Sequence, residues 1–341
     1  MRAAYFRRHG GPEVLEVGEA PDPVVAAGTA IVQVRAVALN HLDLWVRRGV
    51  PGLELELPHI GGSDVAGTVL EVGPGAEGWA PGDRVVVNPS LWCGSCDFCA
   101  KGEESLCRSF AILGEHVRGG AADRVRVPAR NLFRVPESLP FDRAAAAPLV
   151  YQTAWRALRR GRLAPGETIL VTGASGGAST AGIQIARHLG ARVLAITSGT
   201  ENAKRVAGIG ADAVIDRLEA ELVPEVRRLT DGRGVDVVLD SVGEATWQDC
   251  LRCLDRGGRL VTYGATTGAS AGLEIRHVFW KQLEVIGSTM GSRAEFEEVM
   301  GLVADGTLAP VVGDVLPLDA IREAHERLEA GSVFGKLVLT P

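Results

Sequence analysis

Apolar positions change their rhythm once along the chain, near residue 142. Before that point short runs alternate apolar and polar side chains or stay apolar for a few residues, as in Thr29–Val37, Val65–Val72, Arg84–Asn88 and Arg124–Val127. Turns of the Gly73-Pro74-Gly75 and Pro81-Gly82-Asp83 kind separate them. A two-residue period punctuated by glycine and proline predicts a β-rich region. Beyond residue 142, apolar runs at Thr168–Thr172, Arg192–Thr197, Ala213–Ile215, Val235–Asp240, Arg259–Tyr263 and Glu284–Ser288 are spaced, early on, by helical stretches. In the first of these Ala181, Ile185 and Leu189 share a face. Strand–helix alternation of this kind predicts a parallel sheet covered on both faces. After Gly291 the pattern predicts helices around Ala294–Ala304 and Ala320–Ala330, then a strand at Lys336–Thr340 able to return to the first region.

Composition narrows the class. The chain has 341 residues, 46% hydrophobic and 23% charged, enough for two cored domains and too apolar for broad disorder. A net charge of -6 leaves no basic footprint for nucleic acid or an anionic membrane. No apolar run reaches the roughly 18 residues of a membrane helix, and Met1–Phe6 shows no secretory pattern. A cytoplasmic location is expected.

Four of the six cysteines crowd into Cys93-Gly-Ser-Cys96-Asp-Phe-Cys99 and Cys107. In a reducing compartment this spacing points to metal before disulfides. Four thiolates in a short loop, with Gly94 and Gly102 easing its turns, suit a closed tetrahedral zinc site that leaves no position for substrate. The zinc is therefore expected to be structural, with an iron–sulfur cluster as the alternative metal reading. Cys250 and Cys253, three apart on an expected helix, read as core residues rather than a redox pair.

Gly173, Ala174, Ser175, Gly176, Gly177, Ala178 and Ser179 form a glycine-rich turn between a strand and a helix. Backbone amides at such a helix start, reinforced by its dipole, hold a pyrophosphate, and glycine permits close approach. Where the second strand ends, an NAD site usually carries a carboxylate for the ribose hydroxyls. This chain has Thr197, Ser198, Gly199 and Thr200 there, with Lys204, Arg205 and Arg217 nearby. A hydroxyl-rich corner flanked by cations favours NADP(H) over NAD(H), although Glu201 could serve as the carboxylate.

The β-rich front, the four-cysteine lobe and the trailing strand–helix array together resemble the medium-chain dehydrogenase/reductase superfamily over essentially the whole chain. The stretches carrying the likeness are Gly61-Gly-Ser-Asp-Val-Ala-Gly67, Pro81-Gly-Asp-Arg-Val85, Val237-Val-Leu-Asp-Ser-Val-Gly243, Gly257-Gly-Arg-Leu-Val261 and Gly335-Lys-Leu-Val338. The resemblance implies an α/β fold. A Rossmann-type, doubly wound parallel sheet (143–291) would join a β-rich, GroES-like catalytic domain (1–142 and 292–341) that carries the zinc lobe at 91–109. It also implies that Thr153, Ser241, Val242, Gly264 and Lys336 face the cofactor.

Zinc alcohol dehydrogenases of this superfamily hold a catalytic zinc with a cysteine, a histidine–glutamate pair and a second cysteine. The matching positions here are Asn40, Ser63-Asp64 and Leu149, and an amide, a hydroxyl and an alkyl group cannot replace thiolate and imidazole. The stretches around Asn40-His-Leu-Asp43-Leu-Trp45 and Ser63 look instead like the quinone oxidoreductase branch, which works without zinc. Conjugate reduction of an enone or quinone follows, since conjugation spreads the charge a metal would otherwise neutralise. Asn40 would orient the nicotinamide or the substrate carbonyl, with Asp43 and Asp64 organising the pocket and Trp45, Ser63 and Tyr151 lining the cleft. For Asp43 a purely structural role, capping backbone amides, is an equal alternative.

Two rivals remain. One is an NAD-dependent alcohol dehydrogenase with unconventional zinc ligands drawn from His41, Asp43, His59 and Asp64. The other is a non-enzymatic zinc-lobe binding protein, disfavoured because Asp97, Glu103 and Glu104 outnumber Lys101 in the lobe. Expected partners are a small carbonyl, enone, quinone or alcohol substrate and, by family analogy, further copies of the chain in a homodimer or homotetramer through Glu284–Ser288.

Overall fold

The computed structural model describes residues 1–341 and divides into two compact units, Met1–Gln152 with Gly291–Pro341, and Thr153–Met290. In the first unit the sheet order is Val312–Pro317, Lys336–Thr340, Thr29–Ala38, Asp64–Val72, Arg84–Val87, Leu132–Arg134, with Arg124–Pro128 also paired to Thr29–Ala38. The inward faces of these strands bury Val32, Val34, Val37, Val65, Val69, Val85 and Val87 in one cluster, joined by Leu337 and Leu339 from the last strand. The C-terminal strand thus returns to the β-rich region, as its pattern predicts. Its register sets Val338 opposite Ala38, and Ala38 in turn lies opposite Asp64. That pairing brings Asn40, Asp64 and Lys336 together from three distant segments.

Beneath Ser63 and Asp64 two chain segments meet backbone to backbone. The amides of Gly119, Gly120 and Ala121 donate to the carbonyls of Ile60, Gly62 and Gly61 at 2.7, 2.8 and 3.0 Å. A Cβ at Gly119 would lie 2.3 Å from the Gly62 carbonyl oxygen, and Gly62 itself has φ +89°. Only glycine tolerates this approach.

Helix His41–Arg48 starts against the same segment. Asp43, in its first turn, returns Oδ2 to the Asn40 amide N–H at 2.7 Å, and its Oδ1 accepts the Gly62 amide at 2.9 Å. The carboxylate therefore fastens the helix start to the glycine crossing. Burial raises its pKa to about 6 against the opposing pull of these two N–H donors.

The second unit is a six-stranded parallel sheet ordered Ala213–Asp216, Arg192–Thr197, Thr168–Val171, Val235–Asp240, Leu254–Thr262, Glu284–Gly287. In chain order this is 3-2-1-4-5-6, the doubly wound arrangement whose switch point lies between its first and fourth strands. The fifth strand begins earlier than the pattern predicts, because Leu254 already pairs with Val235 across a bulge before the turn glycines Gly257 and Gly258. The rhythm change near residue 142 also precedes the boundary between units. Helix Phe141–Ala145 and the first turn of helix Pro148–Arg160 lie in the first unit, where the Leu149 amide donates to Asp64 Oδ1 at 2.7 Å. No helix is long and apolar enough to cross a membrane.

The same substitution should act in opposite directions at two glycines. Gly119→Ala drives a methyl into fixed backbone and is expected to lower stability by about 2–3 kcal/mol. Gly301→Ala, within helix Arg293–Ala304 and facing open space, should raise it by about 0.5–1 kcal/mol. Urea unfolding midpoints measure both, and equal effects would refute the close-crossing account. The Asp43 pKa gives a pH signature. Because its folded value exceeds its unfolded one, the native state binds the proton more tightly, and stability falls as pH rises from about 4 to about 6, by on the order of 3 kcal/mol. Asp43→Asn should flatten that slope, and an unchanged slope would assign it to other groups.

Candidate functional site

The four-cysteine lobe is built from sequence-local geometry. Sγ of Cys93 lies 3.5 Å from that of Cys107 and 3.9 Å from that of Cys99, which is 3.6 Å from Cys96. All four ligand atoms fall within 4.8 Å of one another. A tetrahedral zinc with bonds of about 2.3 Å requires sulfurs about 3.8 Å apart, so the donor set fits the ion. Backbone amides of Ser95 and Cys96 donate to Cys93 Sγ at 3.4 and 3.3 Å, and that of Cys93 to Cys107 Sγ at 3.3 Å. These donors favour thiolate, and the Ser95 amide leads the causes that lower the Cys93 pKa to about 6. Desolvation and the adjoining sulfurs push Cys99 up to about 12. Cys250 and Cys253 are fully buried, and burial pushes the Cys253 thiol up to about 12. They are core residues.

A second cluster sits where the β-rich unit's strands converge. Asp64 is fully buried, and its Oδ2 accepts from Lys336 Nζ at 2.8 Å and from Asn40 Nδ2 at 2.9 Å. Lys336 Nζ also donates to Asn40 Oδ1. Both ends of the Asn40 amide are thereby engaged, and Asp64 Oδ1 takes the Leu149 amide. Ser63 is fully buried and its hydroxyl has no partner. Trp45 is 37% exposed, and Tyr151 is buried on helix Pro148–Arg160. Lys336, implied by the resemblance to face the cofactor, is thus placed in this cluster with its ammonium spent on Asp64 and Asn40.

The residues of the zinc-binding rival do not converge on one point. His59 donates Nε2–H to the Gly114 carbonyl at 3.0 Å and packs on Phe6 with centroids 5.5 Å apart, and desolvation lowers its pKa, keeping it neutral. His41 lies exposed in the first turn of its helix, and Asp43 is committed to two backbone amides. The cysteine lobe is the one group of three or more His, Cys, Asp or Glu residues with ligand atoms placed to share a metal.

In the parallel-sheet unit, Gly173 has φ +55° at the end of the first strand, and Gly176 caps helix Gly177–His188 without any side-chain cap. The first-turn amides of this helix have no acceptor within it, so the turn can receive a pyrophosphate. Ser179 stands where the resemblance implies a third glycine, and the loss of that glycine predicts a helix set slightly farther from its strand. Its hydroxyl instead donates to the Thr172 carbonyl at 2.7 Å and lies 3.2 Å from the Tyr263 hydroxyl, tethering helix to strand. Gly182, one turn later, makes the close contact, since a Cβ there would sit 2.6 Å from Leu239 Cδ2.

At the end of the second strand Thr197 has a buried hydroxyl without a partner, and Arg217 Nε donates to Ser198 Oγ. Lys204 turns to Glu201 at 2.7 Å. Thr153 Oγ1 donates to Met290 Sδ at 3.7 Å. Gly264 backs onto Ser241, whose carbonyl oxygen would be 3.1 Å from a Cβ there, and Val242 Cγ2 would be 3.3 Å from one at Gly173. Sequence reasoning missed two carboxylates here. Asp216 accepts the Gly199 and Leu218 amides at 2.9 and 3.1 Å, and Asp240 gathers hydroxyls and amides from both loops. Asp240 lies inside the Val237–Gly243 stretch, at the strand end facing the glycine turn, and that position was the available signal.

Comparison with known proteins agrees with this construction. A family model described as "Alcohol dehydrogenase GroES-like domain" matches residues 26–137, and one described as "Zinc-binding dehydrogenase" matches 177–305. The chain is 34% identical to the acryloyl-coenzyme A reductase of Metallosphaera sedula, with all of each protein covered. It is also 34% identical to the NAD-dependent alcohol dehydrogenase of Sulfolobus acidocaldarius, over 99% of each. A solved structure of an NAD-dependent alcohol dehydrogenase superposes with a TM-score of 0.96 at 44% identity, covering 100% of both chains. With its glycine-turned parallel sheet, its β-rich partner unit and its four-cysteine lobe, the chain belongs to the medium-chain dehydrogenase/reductase superfamily and is an oxidoreductase.

Proposed function

We propose that this oxidoreductase reduces a conjugated carbonyl compound, an enone, a quinone or an α,β-unsaturated thioester, with one structural zinc and no catalytic one. The observation that carries this reading is the Asp64 cluster. Where the zinc branch keeps two thiolates and an imidazole, this chain has an amide engaged at both ends, a hydroxyl, and a leucine that offers a backbone N–H. None is a donor set for zinc.

The glycine turn would hold the dinucleotide, whose nicotinamide would supply a hydride to the conjugated system, the matching proton coming from solvent at the α-carbon of an enone or thioester and at oxygen for a quinone. The chain's part is position and field. Asn40 keeps one amide N–H beyond its bond to Asp64 and offers it to the carbonyl oxygen, and the Lys336 ammonium supplies positive potential behind that amide. Two relatives named acryloyl-coenzyme A reductase support the conjugated class. A second reading, alcohol oxidation, is favoured by the 44% identity to a protein named alcohol dehydrogenase.

The cofactor corner supports NADP(H). The Arg217 guanidinium rests on Ser198, and the nearest carboxylates are occupied, Asp216 by backbone amides and Glu201 by Lys204. A second copy of the chain is the proposed partner. The sheet ends in Glu284–Gly287, an unpaired edge, beside exposed Ile275, Phe279 and Trp280.

Oxidation of NADPH and NADH should be followed with enones, quinones and unsaturated thioesters against saturated aldehydes, with zinc quantified in parallel. The expected outcome is about 100-fold higher kcat/KM on conjugated acceptors, a preference for NADPH that Arg217→Ala removes, and one zinc per chain. Two zincs per chain, together with alcohol oxidation abolished by chelation, would establish the alcohol dehydrogenase reading instead. Sedimentation should give a dimer or tetramer that Val285→Asp with Phe279→Asp dissociates. A monomeric wild type would refute the edge-strand partner.

A further inference from the structure

Asp240 ends the fourth strand of the parallel sheet, fully buried, and the hydride chemistry gives it no role. Its Oδ1 accepts the hydroxyls of Thr172 and Thr246 at 2.8 and 3.0 Å, and its Oδ2 accepts the Gly243 amide at 3.0 Å. Hydroxyls and backbone amides, not a cation, satisfy this charge. The donors come from three places: the residue before the glycine turn, the loop after Asp240, and the start of helix Trp247–Cys253.

The bonding has a direction. Thr172 gives its hydroxyl proton to Asp240 and accepts the Ser241 amide on the same oxygen at 3.3 Å. The Thr172 carbonyl receives the Ser179 hydroxyl, which extends the tie to the helix behind the turn. Ser179 has then spent its only proton, so the Tyr263 hydroxyl, 3.2 Å away, donates to it. One carboxylate therefore joins the glycine turn, the 241–243 loop and two helix starts into a single cradle. A carboxylate accepts at both oxygens, whereas an amide would turn N–H groups against one set of donors.

We propose that Asp240 is a positioning residue for the dinucleotide, holding both loops in their bound arrangement before the cofactor arrives. The proposal rests on the reading of the glycine turn as the dinucleotide site. Loops ordered in advance lose less freedom on binding, so removing the clamp weakens affinity and leaves the chemical step alone.

Binding of NADPH and NADH to Asp240→Asn, followed by nucleotide fluorescence without substrate, tests it. The expected result is a dissociation constant for both nucleotides raised about tenfold or more, with kcat at saturating cofactor within about twofold of wild type. Thr246→Val and Thr172→Val each remove one donor and leave the charge in place. They should raise the constant by about threefold, and they decide the matter if Asp240→Asn does not fold. Variants that unfold at lower temperature yet bind both nucleotides as tightly as wild type would make the carboxylate merely structural and overturn the proposal. A wild-type chain that binds neither nucleotide would instead end the dinucleotide reading of the turn, and the clamp with it.

Discussion

The Asp64 carboxylate is fully buried and must be satisfied where the strands converge. Its partners come from residues 40, 149 and 336, so the charge is stable only if three remote segments are folded onto it. Removing one member of a buried, hydrogen-bonded ion pair typically costs about 3–5 kcal/mol, because the other charge is left uncompensated. The pair itself adds little net stability over an apolar replacement. Its effect is to specify arrangement: the Asn40 amide, caught between ammonium and carboxylate, has one orientation available.

That orientation has a chemical consequence. Oxygen donors that would serve a second cation are already turned toward an internal one, the Lys336 ammonium. On the proposed reading, a site of this kind polarises an isolated carbonyl less strongly than a metal does and favours substrates whose developing charge delocalises. Three buried aspartates illustrate three ways of holding a carboxylate. Asp64 uses a cation and N–H donors, Asp240 uses hydroxyls and amides, and Asp43 has two amides alone and is pushed up to about 6. The least satisfied of them fastens a helix start to a backbone crossing, where charge has no further task.

Local features were legible in the sequence. The cysteine spacing prescribes its own geometry, since all four ligands lie within fifteen residues, and the glycine turn is defined by the strand before it and the helix after it. The strand–helix alternation of the second unit and the return of Lys336–Thr340 also followed from apolar periodicity. Features that depend on pairing between distant segments were not legible. Lys336 lies in a motif that the resemblance singles out, and only the register Val338 opposite Ala38 shows that its ammonium reaches Asp64. The loss of glycine at Ser179 suggested a looser helix, and the hydroxyl's bond to Thr172 could not be read without coordinates. Asp240 lies within the Val237–Gly243 stretch, but nothing in the sequence says that three segments will converge on it.

The zinc lobe follows a different logic from the reaction site. Between residues 93 and 111 only Ser105 and Cys107 are buried, so the segment has no hydrophobic core of its own. Short loops without a core depend on cross-links for their shape, and four thiolates around one ion would provide them. The Asp64 cluster instead takes its order from the sheet, which buries the valines flanking it on every side. Loss of the ion would therefore disorder the lobe while leaving the strands at Asn40, Asp64 and Lys336 in register. A structural metal and a catalytic one would answer to separate physical needs, so the proposed loss of one set of ligands leaves the other set undisturbed.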